Sequence, residues 1–188
     1  MKGRKVFNRI GGLINLMCII VSIFPSKLNQ QIFFLLRYFP GKIGIGLRYI
    51  YLKDLAAECG KNVAIHQGVY LKSVKKMKVG NNVSIHPMCY IDATGGLEIM
   101  NDVSIAHACS ILTTNHQWEN AEIPIKYNAL SYGSVLIKNN VWIGCGVRIL
   151  AGVTIGSRSI IAAGAVVNRE VEENTIAGGV PSKTLKNI

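Results

Sequence analysis

Three observations predict a mainly β fold, a solenoid of six-residue repeats behind a helical N-terminal segment. From about Lys61 onward aliphatic residues recur every six positions, before it apolar residues keep a helical spacing, and the two regions differ in charge. The expected division is 1–60 and 61–188, with a loop over 112–136 that breaks the repeat.

In the first region Ile10, Leu13, Ile14, Met17, Cys18 and Val21 follow the i, i+3, i+4, i+7 spacing of one helix face, and Pro25 ends the run. A second apolar piece, "QIFFLLRYF", stops at Pro40 and Gly41. A third, "IGLRYIYLKDLAAECG", puts Leu47, Ile50, Tyr51 and Leu55 on one face and offers Gly60 as a helix C-cap. Nine basic residues, from Lys2 to Lys53, precede the first acid, Asp54, so the net charge of +11 belongs almost wholly to this segment. A nucleic-acid footprint over the whole protein is therefore excluded. The run from Ile10 to Phe24 has no A-x-A cleavage pattern and is not a signal peptide. As a helix it would span about 22 Å, short of a hydrocarbon core of roughly 30 Å. Basic residues between apolar stripes suit an anionic membrane surface, and they equally suit helices that pack on the main domain or between subunits.

In the second region Ile137, Ile143, Ile149, Ile155, Ile161 and Val167 stand six apart, and Val141, Val147, Val153, Ser159 and Ala165 follow four positions after the first five. The beat runs earlier through Ile65 and Leu71, through Val79, Ile85 and Ile91, and through Ile99, Ile105 and Ile111. Each set is offset from the next by eight residues, so two extra residues enter at a corner. Strands alternate with period two and helices with 3.6, so this period marks neither. Three hexads make a triangular coil, and the anchors predict about five coils stacked on one aliphatic column. Five cysteines without CxxC spacing form neither a disulfide framework nor a zinc motif, which fits a reducing compartment.

The stretch from about Gly60 to Ile188, above all "NNVWIG", "GVTIG" and "GGVPSK", resembles the hexapeptide-repeat acetyltransferases, a left-handed parallel β-helix family that includes galactoside and maltose O-acetyltransferases. The N-terminal helices do not align with galactoside acetyltransferase and look more like the leaders of capsule and lipopolysaccharide O-acetyltransferases. The resemblance implies a homotrimer with clefts between neighbouring coils and acetyl-CoA as acyl donor, with no metal. His116, in "TTNH" five residues after Ile111, the last anchor before the break, matches the family's catalytic base. A histidine titrates near working pH and suits proton removal from a hydroxyl. The alternative is an incidental histidine in a surface loop.

By the same resemblance the backbone N–H of Cys145 meets the tetrahedral oxyanion. Ala163, Asn168 and Arg169 match coenzyme contacts near the pantetheine arm, and Lys183 with Lys186 match two phosphate-binding arginines. Lysines keep the charge and lose the bidentate geometry. On the acceptor side His86 falls where the family has a sugar-binding asparagine, Asp92 lies near an acidic contact, and Trp142 matches a cleft-edge tryptophan. Trp118 and Glu119 are loop candidates. Asp92 is equally readable as a turn aspartate, and Trp142 as a packing residue.

The function implied is O-acetylation of a sugar hydroxyl in polysaccharide, capsule or lipopolysaccharide assembly, on a sugar or lipid-linked glycan, in the cytoplasm or at the cytoplasmic membrane face. An amino-sugar N-acetyltransferase uses the same fold. From other classes, a non-catalytic scaffold and a zinc protein like the γ-carbonic anhydrases remain, the latter without its H-x4-H spacing here.

Overall fold

The computed structural model describes residues 11–188; Ile10 and the basic Lys2, Arg4, Lys5 and Arg9 lie outside them. Helix α1 spans Gly11–Ser22, α2 spans Ser26–Leu35, and α3 spans Gly41–Leu55. Pro25 and Pro40 occupy the N-cap positions of α2 and α3, where the chain cannot extend the preceding helix. Among the described residues no helix is long and apolar enough to cross a membrane.

The packed face of α1 is Ile14, Met17, Cys18 and Val21, as the spacing predicts, but Leu13 is 60% exposed. The helix is apolar nearly all round, so periodicity alone could not choose its inner face. On its other side Leu16, Ile19 and Ile20 are exposed too, as is Ile23 just beyond its end. In α3 the buried face is Arg48, Tyr49, Ile50, Leu52 and Leu55, with Leu47 and Tyr51 only half-buried. Arg48 is 1% exposed; its Nε donates to Ile65 O at 2.7 Å and its Nη1 to Leu36 O and Phe39 O at 2.8 Å each. Burial lowers its pKa from the ordinary arginine value. A Cβ on Gly44 would lie 2.1 Å from Phe39 O, so glycine lets that carbonyl reach the guanidinium.

Gly60 does not cap α3, which ends at Leu55. It stands instead at a corner of the coil, where a Cβ would come within 2.6 Å of the Gly80 carbonyl. The coil also starts before Lys61, because Glu58–Cys59 pairs in parallel with Lys78–Val79.

Three parallel walls follow. The first comprises Glu58–Cys59, Met77–Val79, Leu97–Ile99, Val135–Ile137 and Thr154–Ile155. The second runs Ala64–Ile65, Ser84–Ile85, Ser104–Ile105, Trp142–Ile143, Ile160–Ile161 and Thr175–Gly178, and is closed by the antiparallel strand Lys183–Asn187. The third comprises Tyr70–Lys72, Tyr90–Asp92, Ser110–Ile111, Arg148–Ile149 and Val166–Val167. The second wall and a parallel bridge from Ile155 to Val171 extend the tower beyond the expected five coils into a sixth. Early coils advance the register by 20 residues (Ile65 on Ile85) and later ones by 18 (Ile143 on Ile161).

Both sets of periodic residues point inward. Ile137, Ile143, Ile149, Ile155, Ile161 and Val167 are fully buried, and Val141, Val147, Val153, Ser159 and Ala165 fill the corners between them. At the first corner Asn62, Asn82, Asp102, Asn140, Arg158 and Asn174 all take positive φ, a conformation that Asn and Asp tolerate best among residues with a side chain. Side-chain bonds tie that corner from coil to coil: the Asn81, Asn101 and Asn139 carboxamide oxygens accept from the backbone N–H groups of Lys61, Asn81 and Asn101.

Candidate functional site

The repeat breaks at the third corner, where the third wall hands over to the first wall of the next coil. The two extra residues of the early coils enter at this same corner: Ser73 with the 3-10 turn Val74–Lys76 in one, and Thr94 to Gly96 in the next. In the third coil the excursion grows into an antiparallel hairpin, Thr114–His116 against Leu130–Tyr132. It is shorter than the expected 112–136, since Val135 and Leu136 already pair with Leu97 and Glu98 in the first wall.

His116 ends the outgoing strand, opposite Leu130, and is exposed. The arm beyond it is braced by buried Asn128, whose Nδ2 donates to Asn120 O at 3.1 Å and Ile123 O at 3.3 Å and whose Oδ1 accepts from Asn120 N. Trp118 is 68% exposed, and its backbone N–H donates to the Glu119 carboxylate. Tyr127 and Tyr132 add further exposed aromatic surface to the same arm.

Asp92 lies one coil below, almost fully buried. Its Oδ1 accepts from the Thr94 N–H at 2.9 Å and from the Thr94 hydroxyl, and its Oδ2 accepts from Lys72 Nζ at 2.9 Å and Thr114 Oγ1 at 3.3 Å. Burial is the largest influence and pushes its pKa up, but bonds from Thr94 and Lys72 outweigh it and hold the carboxyl below the usual range. The aspartate thus braces the strand that carries His116 from two residues away. Thr113, fully buried, joins this brace: its hydroxyl donates to Asp92 O at 2.8 Å and accepts from the Gly95 N–H at 2.7 Å. Sequence reasoning missed Thr113 and Asn128. The available signal was a pair of threonines directly after the anchor pair Ile111–Leu112, where the repeat wants a small or aliphatic residue.

The other candidates stand elsewhere. Cys145 sits in the turn of the second corner, between Trp142–Ile143 and Arg148–Ile149, where its carbonyl accepts from the Gly164 N–H at 2.8 Å. A Cβ on the preceding Gly144 would lie 2.6 Å from Ala163 N, so successive coils meet there backbone to backbone. Arg148 Nη1 steadies the turn through Ala108 O and Gly146 O at 2.8 and 2.9 Å. Ala163 is exposed one coil above, and His86 belongs to the same corner lower down. His116 and Asp92 therefore occupy one end of the third wall, and His86, Cys145 and Ala163 the other. The chain does not bring the two groups together.

Asn168 and Arg169 return to the third corner at the top of the tower, both exposed. Arg169 and Lys183 line one cavity of about 250 Å³, together with Glu170 and Glu172, whereas Lys186 pairs with Ile176 on the closing strand. Trp142 is 54% exposed on the outer second wall and lines a groove with Arg158, away from the hairpin. The five cysteines are unpaired, and among the described residues no group of three or more His, Cys, Asp or Glu is disposed to hold a metal.

His86 stacks on His66 with ring centroids 4.7 Å apart and 10° between planes. Burial lowers the His66 pKa, helped by the charges of His86 and Arg48. Below pH 6.5 the unfolded chain takes up that proton before the folded one does, so stability is full above 6.5 and falls as pH drops toward the lowered value. Thermal unfolding between about pH 7.5 and 5 should show this decline in the wild type and a shallower one in His66→Gln; parallel curves would remove His66 as the cause.

Residues 134–169 match the family described as bacterial transferase hexapeptide, six repeats. Galactoside O-acetyltransferase of Escherichia coli is 46% identical over 54 residues, 29% of this chain and 27% of that relative. The matched stretches cover 40% or less of the length of the first curated relatives. Among solved structures, a galactoside acetyltransferase in complex with coenzyme A is similar with a TM-score of 0.78 and 26% identity, covering 87% of this chain and 80% of that one. A maltose O-acetyltransferase from Clostridium difficile gives a TM-score of 0.74 and 26% identity over 89% of this chain and 88% of that one. Both shares exceed what 58–188 alone make up, so part of the helical segment has a structural counterpart that sequence alignment did not reveal.

Proposed function

We propose that the chain, which is similar to bacterial hexapeptide transferases over 134–169 and to galactoside acetyltransferase in fold, is an acetyl-CoA-dependent O-acetyltransferase acting on a sugar hydroxyl, with His116 as general base. The observation that carries this reading is the hairpin at the third corner, which lifts one histidine out of an otherwise smooth wall on a strand braced by Asp92 and Thr113.

His116 takes the proton of the acceptor hydroxyl, whose oxygen attacks the thioester carbonyl of acetyl-CoA. The tetrahedral oxyanion accepts a hydrogen bond from the Cys145 N–H. Collapse breaks the carbon–sulfur bond, and the coenzyme thiolate leaves with the proton held by His116. Products are the acetyl ester and free coenzyme A, and no acyl-enzyme forms. Ala163, Asn168, Arg169, Lys183 and Lys186 hold the coenzyme, and His86, Asp92, Trp118 and Trp142 serve the acceptor side.

Because the two groups stand at opposite ends of one wall, the complete site needs the second corner of a neighbouring chain against the third corner of this one. A homotrimer supplies that, and the exposed apolar arm around Trp118, Tyr127 and Tyr132 suits burial against the neighbour. The helices, with exposed Leu16, Ile19, Ile23 and Phe24 and basic residues among them, hold the enzyme at the cytoplasmic face of an anionic membrane, where a polysaccharide or lipopolysaccharide precursor would be modified.

Mass spectrometry of sugars incubated with acetyl-CoA and purified protein tests the reading. One acetyl group gained on an acceptor hydroxyl, by a species that sediments as a trimer, is expected; a fully active monomer or hydrolysis alone would contradict it.

A further inference from the structure

A second cleft, of about 720 Å³, opens between α2 and the lowest strand of the third wall. Its walls are apolar and aromatic, through Phe33, Phe34, Leu71 and Val74 among others, and its charged lining residues are Lys27, Arg37 and Lys72, with no acid. Lys72 is already paired with Asp92, which leaves Lys27 and Arg37. The Arg37 guanidinium lies 4.8 Å from the Tyr38 ring centroid and 5.2 Å from that of Tyr70, and Phe34 meets Tyr70 edge to face at 6.4 Å. Arg37 Nε is buried without a hydrogen-bond partner. An unpartnered buried donor on a cation is costly unless an anionic acceptor completes it.

We infer that this cleft binds the phosphate-bearing, hydrocarbon-carrying end of a lipid-linked acceptor, the phosphate at Arg37 and Lys27 and the chain along Phe33, Phe34 and Val74. This rests on the acetyltransferase reading for the identity of the acceptor. Position supports it: Ser73 and Val74 of the cleft stand on the same corner as His116, two coils lower, about 10 Å along the edge. A glycan rising from a phosphate in the cleft would pass Asp92 and present its hydroxyl to His116. A guanidinium between rings offers fixed N–H donors to phosphate oxygens, and the acid-free rim repels no anion.

The test is calorimetric titration of the full-length protein with dodecyl phosphate below its micelle concentration, without acetyl-CoA. Inorganic phosphate, dodecanol and anionic phospholipid vesicles are titrated in parallel. Dodecyl phosphate is expected to bind at least about tenfold more tightly than inorganic phosphate or dodecanol, and Arg37→Gln and Lys27→Gln should each weaken it by about tenfold, the cost of losing one charge-assisted contact. Vesicle binding, which the outer faces of the helices carry, should persist in both variants. Equal affinity for inorganic phosphate, undiminished binding in both variants, loss of vesicle binding in parallel, or a cleft closed by a second copy of the chain would each overturn the proposal. Acetyl transfer to a water-soluble sugar is assayed in the wild type. Its absence in the wild type would refute the enzymatic reading, whereas the titration alone decides the cleft.

Discussion

Replacing His116 with alanine lowers kcat for acetyl transfer by about 10²- to 10⁴-fold, the contribution expected of a positioned general base. The protein should remain folded, because His116 is exposed at the end of a hairpin strand and the side chain buries no core surface. Substitutions at such positions stay within about 0.5 kcal/mol. The KM for acetyl-CoA should change little, since the imidazole is assigned to the acceptor proton and not to the coenzyme. Steady-state transfer kinetics and thermal unfolding on the same preparation separate these effects. A variant that transferred acetyl groups near the wild-type rate would remove His116 from the mechanism, and one that unfolded would make the residue structural.

Replacing Arg48 with leucine destabilises the junction between helices and coil by about 3–5 kcal/mol, the cost of leaving buried polar partners uncompensated. The guanidinium binds three carbonyls belonging to separate segments: Leu36 in the turn after α2, Phe39 before α3, and Ile65 in the first coil. Leucine fills part of the space and takes a donor from each of the three, of which Leu36 O keeps the Phe39 N–H. Lysine should recover only part of the loss, because a single ammonium does not reproduce the planar fork. Hydrogen exchange should show where the damage lies: faster exchange in 11–55, with protection kept in the walls from Met77 to Val167, whose strands do not depend on that junction. Unchanged exchange in the helices would mean that apolar packing alone holds them.

The β-helix was legible because its core is periodic in the chain itself. Every coil must bury an aliphatic at the same place, so Ile137 to Val167 announce both the period and the interior. The helices were less legible for the opposite reason. In α1 nearly every position is apolar, and only docking on α3 distinguishes Ile14 and Val21 from Leu13. Gly60 illustrates another limit: a glycine after a helical pattern reads as a cap, yet the constraint comes from the Gly80 backbone twenty residues on. Asp92 had two equally good readings in the sequence, and only its bonds to Thr94, Lys72 and Thr114 identify the brace.

The repeat, the aliphatic column, the point where the repeat breaks and the histidine that follows the break are all readable from the order of residues alone. That is possible because these are properties of spacing along one chain. Tertiary structure decided that the break falls on the third corner and that His86, Cys145 and Ala163 fall on the second. The spacing contains the repeats of 18 and 20 residues, but which side chains and which helices come to lie beside each corner depends on how the coil closes and what docks on it.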